Sequence, residues 1–305
     1  MRALLVVNPT ATATTPQVRE VLAAALGEQV KLDVAPTTAR GHAVSLARQA
    51  VDDGLDLVVA LGGDGTVNEV VNGLLSGGPR AGLPALGVVP AGNANVFARA
   101  LGLPRSPVEA TAVLLEALRH ERRRAVGLGR ADERWFTFSA GLGLDAQVVR
   151  RVERRRAAGR RATPDLFVRQ AVRQVLTGRR QVPTVHVETH DGRREAVRLA
   201  LVCNTTPWTY LGPRPVVACP RAGFDTGLDL FAMRTLRTTA LLRQLRQLLS
   251  DPPRPGGRTV VSLHDQAGFT LRAEQAVALQ VDGDDLGDRT RVAFRSYPRA
   301  LSVAA

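Results

Sequence analysis

One junction restricts the fold more than any other feature of the chain: Leu61-Gly62-Gly63-Asp64-Gly65-Thr66, placed between an apolar run and a helical pattern. The run Leu55 to Leu61 is apolar nearly throughout and β-branched at its centre, as a strand buried on both faces must be. Beyond the glycines, Val67, Val70, Val71 and Leu74 recur at i, i+3, i+4 and i+7. That spacing predicts a helix over Thr66 to Leu75, with Thr66 and Glu69 as a capping box. A buried strand that turns directly into a helix belongs to an α/β domain with a largely parallel sheet. The surrounding sequence repeats the pattern: strand Leu4 to Val7, helix Pro16 to Leu26, strand Val30 to Val34, helix Gly41 to Val51, strand Leu86 to Val89, and a helix ending near Leu101.

After a helix predicted over Val108 to Leu118 the texture changes to strand-like runs with hairpin turns. The sequence therefore divides near residue 124, into an α/β domain over 1–124 and a mostly β domain over 125–305 whose last residues pack back on the first. Strands are predicted at Val185 to Thr189, Ala196 to Cys203, Leu228 to Met233, Val260 to Leu263, Gly268 to Arg272, Val277 to Val281 and Arg291 to Phe294. The first two are joined by an Asp191-Gly192 turn, a dipeptide that tolerates the positive φ of a tight hairpin. A length of 305 residues suits two domains.

Composition narrows the function classes. Two cysteines, Cys203 and Cys219, are too few for a disulfide framework or a Cys-rich zinc site, and both are expected in the core. A reducing, cytoplasmic setting is the expectation. The apolar run Ala3 to Val7 is too short for a signal-peptide core, and no run of about 18 apolar residues could span a bilayer. Membrane contact is then peripheral. A net charge of +13 implies an acidic partner. Eleven arginines between Arg150 and Arg180 are interleaved with Val152, Leu166, Phe167, Val172 and Leu176, which suits an anionic membrane surface as well as it suits a solvated loop. Aromatic residues make up 4% of the chain and no recognition motif is present, so no nucleic-acid partner is expected. His186 and His190 fall on a predicted strand, about 13 Å apart, and cannot share one metal ion.

The chemistry-bearing motifs lie where parallel strands end, the edge at which open α/β sheets bind ligands. Gly62, Gly63 and Gly65 let the backbone approach a ligand, and free amides at the following helix start attract phosphate. Asp64 would repel a polyphosphate unless a divalent cation or a proton stands between them. Asn8-Pro9-Thr10 and Pro90-Ala91-Gly92-Asn93-Ala94-Asn95 follow two other strands and offer amides at the same edge.

These residues resemble the diacylglycerol kinase catalytic family, which includes bacterial lipid kinases and the sphingosine and ceramide kinases. The resemblance rests on Gly62-Gly63-Asp64-Gly65-Thr66-Val67-Asn68-Glu69, on Asn8-Pro9-Thr10, on Pro90-Ala91-Gly92 with Asn95, Phe97, Ala98 and Arg99, and on Val281-Asp282-Gly283-Asp284. It implies a cytoplasmic, peripherally membrane-bound, ATP- and Mg²⁺-dependent lipid kinase. Its amino-terminal domain would be NAD kinase-like and its carboxyl-terminal domain a β-sandwich, with ATP in the cleft between them. It assigns nucleotide contacts to Asn8, Pro9, Thr10, Ala11, Thr12, Thr37, Gly62, Gly63, Asp64, Gly65, Thr66, Val67, Asn68 and Asn93. Asp64, Asp282 and Asp284 become the catalytic acids, with Asp284 favoured as the base that takes the lipid hydroxyl proton. Gly223, Asp225 and Leu228 resemble the family's structural magnesium loop.

The chain departs from the family pattern at Asn93, where Thr is usual, at Val96 and Gly127, where Asp is usual, and at Asp284, where Glu is usual. Two other readings stay open: an NAD kinase-like enzyme, and a catalytically silent lipid- or nucleotide-binding protein. The lipid acceptor and the oligomeric state, a homodimer included, are left open by the sequence.

Overall fold

The computed structural model describes residues 1–143 and 183–305. The Arg150 to Arg180 segment therefore lies outside the described residues. The chain forms two compact units, Met1–Gly127 with Arg299–Ala305, and Leu128–Pro298.

The first unit is built on four parallel strands, β1 (Arg2–Val7), β2 (Lys31–Pro36), β3 (Leu57–Gly62) and β4 (Ala85–Pro90), in the order β2-β1-β3-β4. The connecting helices are α1 (Pro16–Gly27), α2 (His42–Asp52), α3 (Asp64–Leu74), α4 (Val96–Ala100) and α5 (Pro107–Arg119). β3 and β4 are buried along their whole length, which explains why their sequences are continuous apolar runs instead of alternating ones. Leu5, Val7, Leu57, Val59, Leu61 and Val89 form the core with Leu22, Leu26 and Leu114 of the covering helices. The end of the chain closes the sheet: Val303 pairs with Leu86, and the Ala304 amide donates to the Leu86 carbonyl at 2.9 Å.

The second unit is antiparallel. Its strands are β5 (Arg124–Ala131), β6 (Arg134–Phe136), β7 (Ser139–Gly143), β8 (Val185–Thr189), β9 (Arg194–Val197), β10 (Leu199–Cys203), β11 (Thr209–Leu211), β12 (Arg214–Val216), β13 (Leu228–Met233), β14 (Val260–Gln266), β15 (Gly268–Val281) and β16 (Asp284–Val303), with the helix α6 (Thr238–Leu248) between β13 and β14. β5 begins in the first unit and β16 ends in it. β15 serves two neighbourhoods, its first half pairing with β8 and its last residues with β7. Its register shifts between Arg272 and Val277, where the strand bends. Phe136, Phe269 and Phe294 meet between these neighbourhoods, the last two stacked with ring centroids 5.6 Å apart.

The sequence and the structure differ in four places. The predicted strands Gly268 to Arg272 and Val277 to Val281 are one bent strand. Ala196 to Cys203 breaks at Arg198, where the hairpin strand β9 gives way to β10, which pairs with β7 and β13. β5, β6, β7, β11, β12 and α6 stand outside the predicted elements, α6 despite the helical spacing of Leu241, Leu242, Leu245, Leu248 and Leu249. Finally, α3 starts at Asp64 with Gly63 as N-cap, so Thr66 and Glu69 form no capping box. Both cysteines are buried as expected. The Cys219 thiol is pushed well above its ordinary pKa by a hydrogen bond with Cys203 and by burial.

Candidate active site

The register of the parallel sheet puts Val7, Leu61 and Val89 side by side, so the segments that follow β1, β3 and β4 leave the sheet together. The Asn8 amide donates to the Leu61 carbonyl at 2.9 Å, and the Ala91 amide to the Gly62 carbonyl at 2.8 Å. Thr37 joins them through its own amide, which donates to the Val7 carbonyl at 2.8 Å. All three motifs and the Thr37 loop thus occupy one edge.

The glycines there are required by space. A Cβ on Gly92 would stand 2.6 Å from Gly63 Cα, and a Cβ on Gly62 would stand 2.6 Å from Thr66 Cβ. The second and third motifs are therefore in backbone contact. Side chains then tie the loops. Asn8 Nδ2 donates to Thr66 Oγ1 at 3.0 Å, while Asn8 Oδ1 accepts from the Thr10 amide and hydroxyl at 3.0 and 2.8 Å. Thr12 Oγ1 donates to Asn93 Oδ1 at 3.2 Å. Asn95 holds its loop shut, accepting from the Gly92 amide at 3.0 Å and donating to the Gly92 carbonyl at 2.8 Å. Asp64 accepts from the Phe97 amide at 3.2 Å and so binds the start of α3 to the start of α4.

Because Gly63 has no side chain to cap α3, the first-turn amides of that helix have no capping side chain. An uncapped helix start beside glycine backbone is an anion site by geometry. Val67 and Asn68 do not line it. Both are buried, and Asn68 accepts from Asn72 Nδ2 at 3.1 Å. Glu69, which carried no ligand expectation, has a definite task. Its two carboxylate oxygens accept from the Gly41 and Ala43 amides at 2.8 and 3.2 Å, fastening the start of α2 to α3.

In the second unit, Asp282 and Gly283 form a two-residue hairpin turn between β15 and β16, with φ of 48° and 83°. The Asp282 carboxylate is buried. It accepts from the Thr137 amide at 2.7 Å, the Thr137 hydroxyl at 2.8 Å, and the Phe138 and Ser139 amides at 3.0 Å each. Burial pushes its pKa above the usual carboxylate range, against the pull of those hydrogen bonds. With four donors already on its oxygens, Asp282 holds the turn. Asp284 is the partly exposed acid of the pair, and Arg134 Nη2 lies 3.7 Å from it. Arg134 belongs to no motif and stands far from Asp284 in the chain, so sequence reasoning missed it.

The Gly223 to Leu228 loop, expected to hold a magnesium ion, offers one carboxylate and backbone carbonyls. The Gly223 carbonyl already accepts from the Thr226 amide at 3.2 Å and hydroxyl at 3.0 Å, and Leu228 opens a strand paired with Gln266. Asp225, exposed, is the one side-chain carboxylate among the three expected ligands. No group of three or more His, Cys, Asp or Glu able to hold a metal occurs among the described residues. The acid that the loop does organise is Asp229, buried, which accepts from His264 Nδ1 at 2.7 Å and from the Asp265 amide at 3.0 Å. A lone Asp in the apolar strand Leu-Asp-Leu-Phe-Ala-Met is the signal that could have found it. His186 lies on β8 and His190 just beyond it, and no ion pair or metal group joins them among the described residues.

A parallel sheet whose strand ends gather glycine loops around an uncapped helix start has the NAD kinase-like architecture. Comparison with known proteins agrees. The diacylglycerol kinase catalytic domain pattern matches residues 2–131. A protein of Chromohalobacter salexigens named "Probable lipid kinase YegS-like" is 32% identical over 298 residues, covering 96% of this chain and 90% of that one. The diacylglycerol kinase of Bacillus subtilis is 41% identical over 107 residues, 35% of this chain and 33% of its own. Among solved structures, a diacylglycerol kinase from Bacillus anthracis superposes with a TM-score of 0.72 at 19% identity, covering 99% of this chain and 96% of that one. An NAD kinase from Archaeoglobus fulgidus in complex with ATP gives 0.53 at 12%, covering 100% and 94%. Likeness at such low identity shows the fold. The chain belongs to the diacylglycerol kinase catalytic family of lipid kinases.

Proposed function

We propose that this chain transfers the γ-phosphoryl group of ATP, bound with Mg²⁺ as part of the nucleotide substrate, to the hydroxyl of a diacylglycerol-like or sphingoid lipid. The observation that carries the reading is the uncapped start of α3 beside the Gly63–Gly92 backbone contact, a seat of amides for the phosphates. Asn8, Thr10, Thr12 and Asn93 flank that seat. Such chemistry needs positioning and charge stabilisation more than covalent help. The lipid oxygen attacks the γ-phosphorus, the bond to the β-phosphate oxygen breaks, ADP departs, and the hydroxyl proton passes to Asp284. Asp282 then acts through Asp284, by fixing the turn that carries it.

Purified protein supplied with labelled ATP and a panel of diacylglycerol, sphingosine, ceramide, glycolipid and NAD tests this directly. At least one lipid acquires label and NAD does not. Asp284→Asn lowers turnover about 10²-fold or more at unchanged melting temperature. Asp282→Asn, which sets an amide NH₂ against N–H donors, costs roughly 3 kcal/mol of stability instead. Labelled NAD alone would move the chain to the NAD kinase reaction, and ATP binding with no transfer to any acceptor would make it a silent binding protein.

A further inference from the structure

The helix α6 (Thr238–Leu248) belongs to the second unit and takes no part in the site above. Ala240, Leu241 and Leu248 pack on a core cluster that includes Cys203, Cys219, Phe231 and Met233, and Gln244 is buried beside them. At roughly 100° per residue, Leu248, Leu241, Leu245, Leu249 and Leu242 follow one another around the helix as a single apolar sector. The core covers only one side of that sector. Gln244 takes the middle of the covered side, its amide donating to the Gly256 carbonyl at 2.8 Å and accepting from the Gly256 amide at 3.3 Å. The sector therefore overhangs: Leu242 is 62% exposed and Leu245 39%. Among the described residues six large hydrophobic side chains are exposed, and these are the two that share a helical turn.

The exposed half of the helix that carries the overhang also carries arginine. Arg246 stands beside Leu242, about 40° around the helix, Arg243 lies about 60° further on, and Arg237 is the N-cap. The Gln244 bonds hold the 251–257 loop, with Asp251 and Arg254, against the side of the helix turned away from the overhang. α6 contains no acidic residue, and none of these four arginines forms an ion pair among the described residues. A protein groove would have to supply both an apolar trough and several acids, whereas an anionic bilayer surface offers both everywhere.

We propose that α6 is an interfacial anchor that lays Leu242 and Leu245 into the headgroup–acyl boundary of an anionic membrane, with Arg237, Arg243 and Arg246 on its phosphates. The proposal rests on the lipid-kinase reading for its purpose, since that acceptor stays in a bilayer, but not for its test.

The full chain is sedimented, without ATP, with vesicles of phosphatidylcholine alone and of phosphatidylcholine mixed with phosphatidylglycerol. Wild type co-sediments with the anionic vesicles only, and less so as salt is raised. Leu242→Ser with Leu245→Ser weakens binding about tenfold or more. Arg243→Gln and Arg246→Gln weaken it about fivefold each. Both leucines are exposed, so melting temperatures stay unchanged, and phosphorylation of detergent-dispersed lipid stays at the wild-type rate. Vesicle binding that is absent in wild type, or unaltered in the leucine variant, overturns the proposal. So does a wild-type dimer that the leucine variant splits while vesicle binding persists, because the overhang is then a contact between copies. Loss of docking with detergent activity retained bears on α6 alone, and docking without any lipid phosphorylation bears on the kinase reading alone.

Discussion

Glu69 shows how a residue can matter at this edge without touching a ligand. The start of α2 has Gly41 as its N-cap, in the left-handed region with φ of 84° and with no side chain to satisfy its amides. Glu69 supplies the missing acceptors from another helix. Hydrogen bonds to a charged group contribute about 1.5–3 kcal/mol when protected from water, and a half-buried carboxylate falls below that range. Glu69→Ala should therefore cost about 2 kcal/mol and Glu69→Gln, with one acceptor oxygen left, about half as much. The change should appear in the urea midpoint at constant m-value. Because the α2 start is continuous with the Thr37 loop, the Ala variant should also raise the KM for ATP more than it lowers kcat, and Gln should recover most of it. An Ala variant as stable as wild type would remove Glu69 from this role.

At the scale of elements, the two glycine turns of the sites differ in what they forbid. Gly92 is excluded from carrying a side chain by the backbone of Gly63, which cannot move without carrying β3 and α3 with it. Gly283 has nothing within 4 Å of the point a Cβ would occupy, and its constraint is the positive φ of its turn. Gly283→Ala should thus cost only about 1–2 kcal/mol of backbone strain, with turnover kept. Gly92→Ala should abolish measurable nucleotide binding by calorimetry even if the protein still melts cooperatively. Equal effects of the two would mean that the Gly63–Gly92 contact does not shape the phosphate seat.

The same contrast explains what is legible in the sequence. β1, β3 and β4 are spelled out by apolar runs and the helices between them by 3.6-residue spacing, and Gly62-Gly63 marks the loop after β3. Tertiary partners leave no such local mark. Nothing near Glu69 points to Gly41, nothing near Asp282 points to Thr137, and the bend that makes one strand of 268–281 is a register shift against β16. The capping box at Thr66 is a true local pattern overridden by the glycines before it, which let the helix begin two residues sooner.

For the whole molecule, the arrangement of the chain decides what can be cut from it. The first unit is discontinuous, since its last strand comes from Arg299–Ala305. Leu301, Val303 and Ala304 are buried there, and without them β4 would present an unpaired apolar edge of the kind that recruits other chains. Removing these three and Ala300, which is buried as well, forfeits roughly 4–7 kcal/mol of apolar burial, a large share of the ~5–15 kcal/mol that holds an ordinary domain. A chain ending at Pro298 should accordingly melt well below the full chain, bind ATP weakly and aggregate on warming. Residues 1–127 alone should behave the same way, despite containing every predicted nucleotide contact. Supplying Arg299–Ala305 through a short flexible linker after Gly127 should restore a cooperative melt to that fragment. A fragment 1–127 that folds and binds ATP without the added strand would show that β4 tolerates an open edge and that the closing strand contributes little to the first unit.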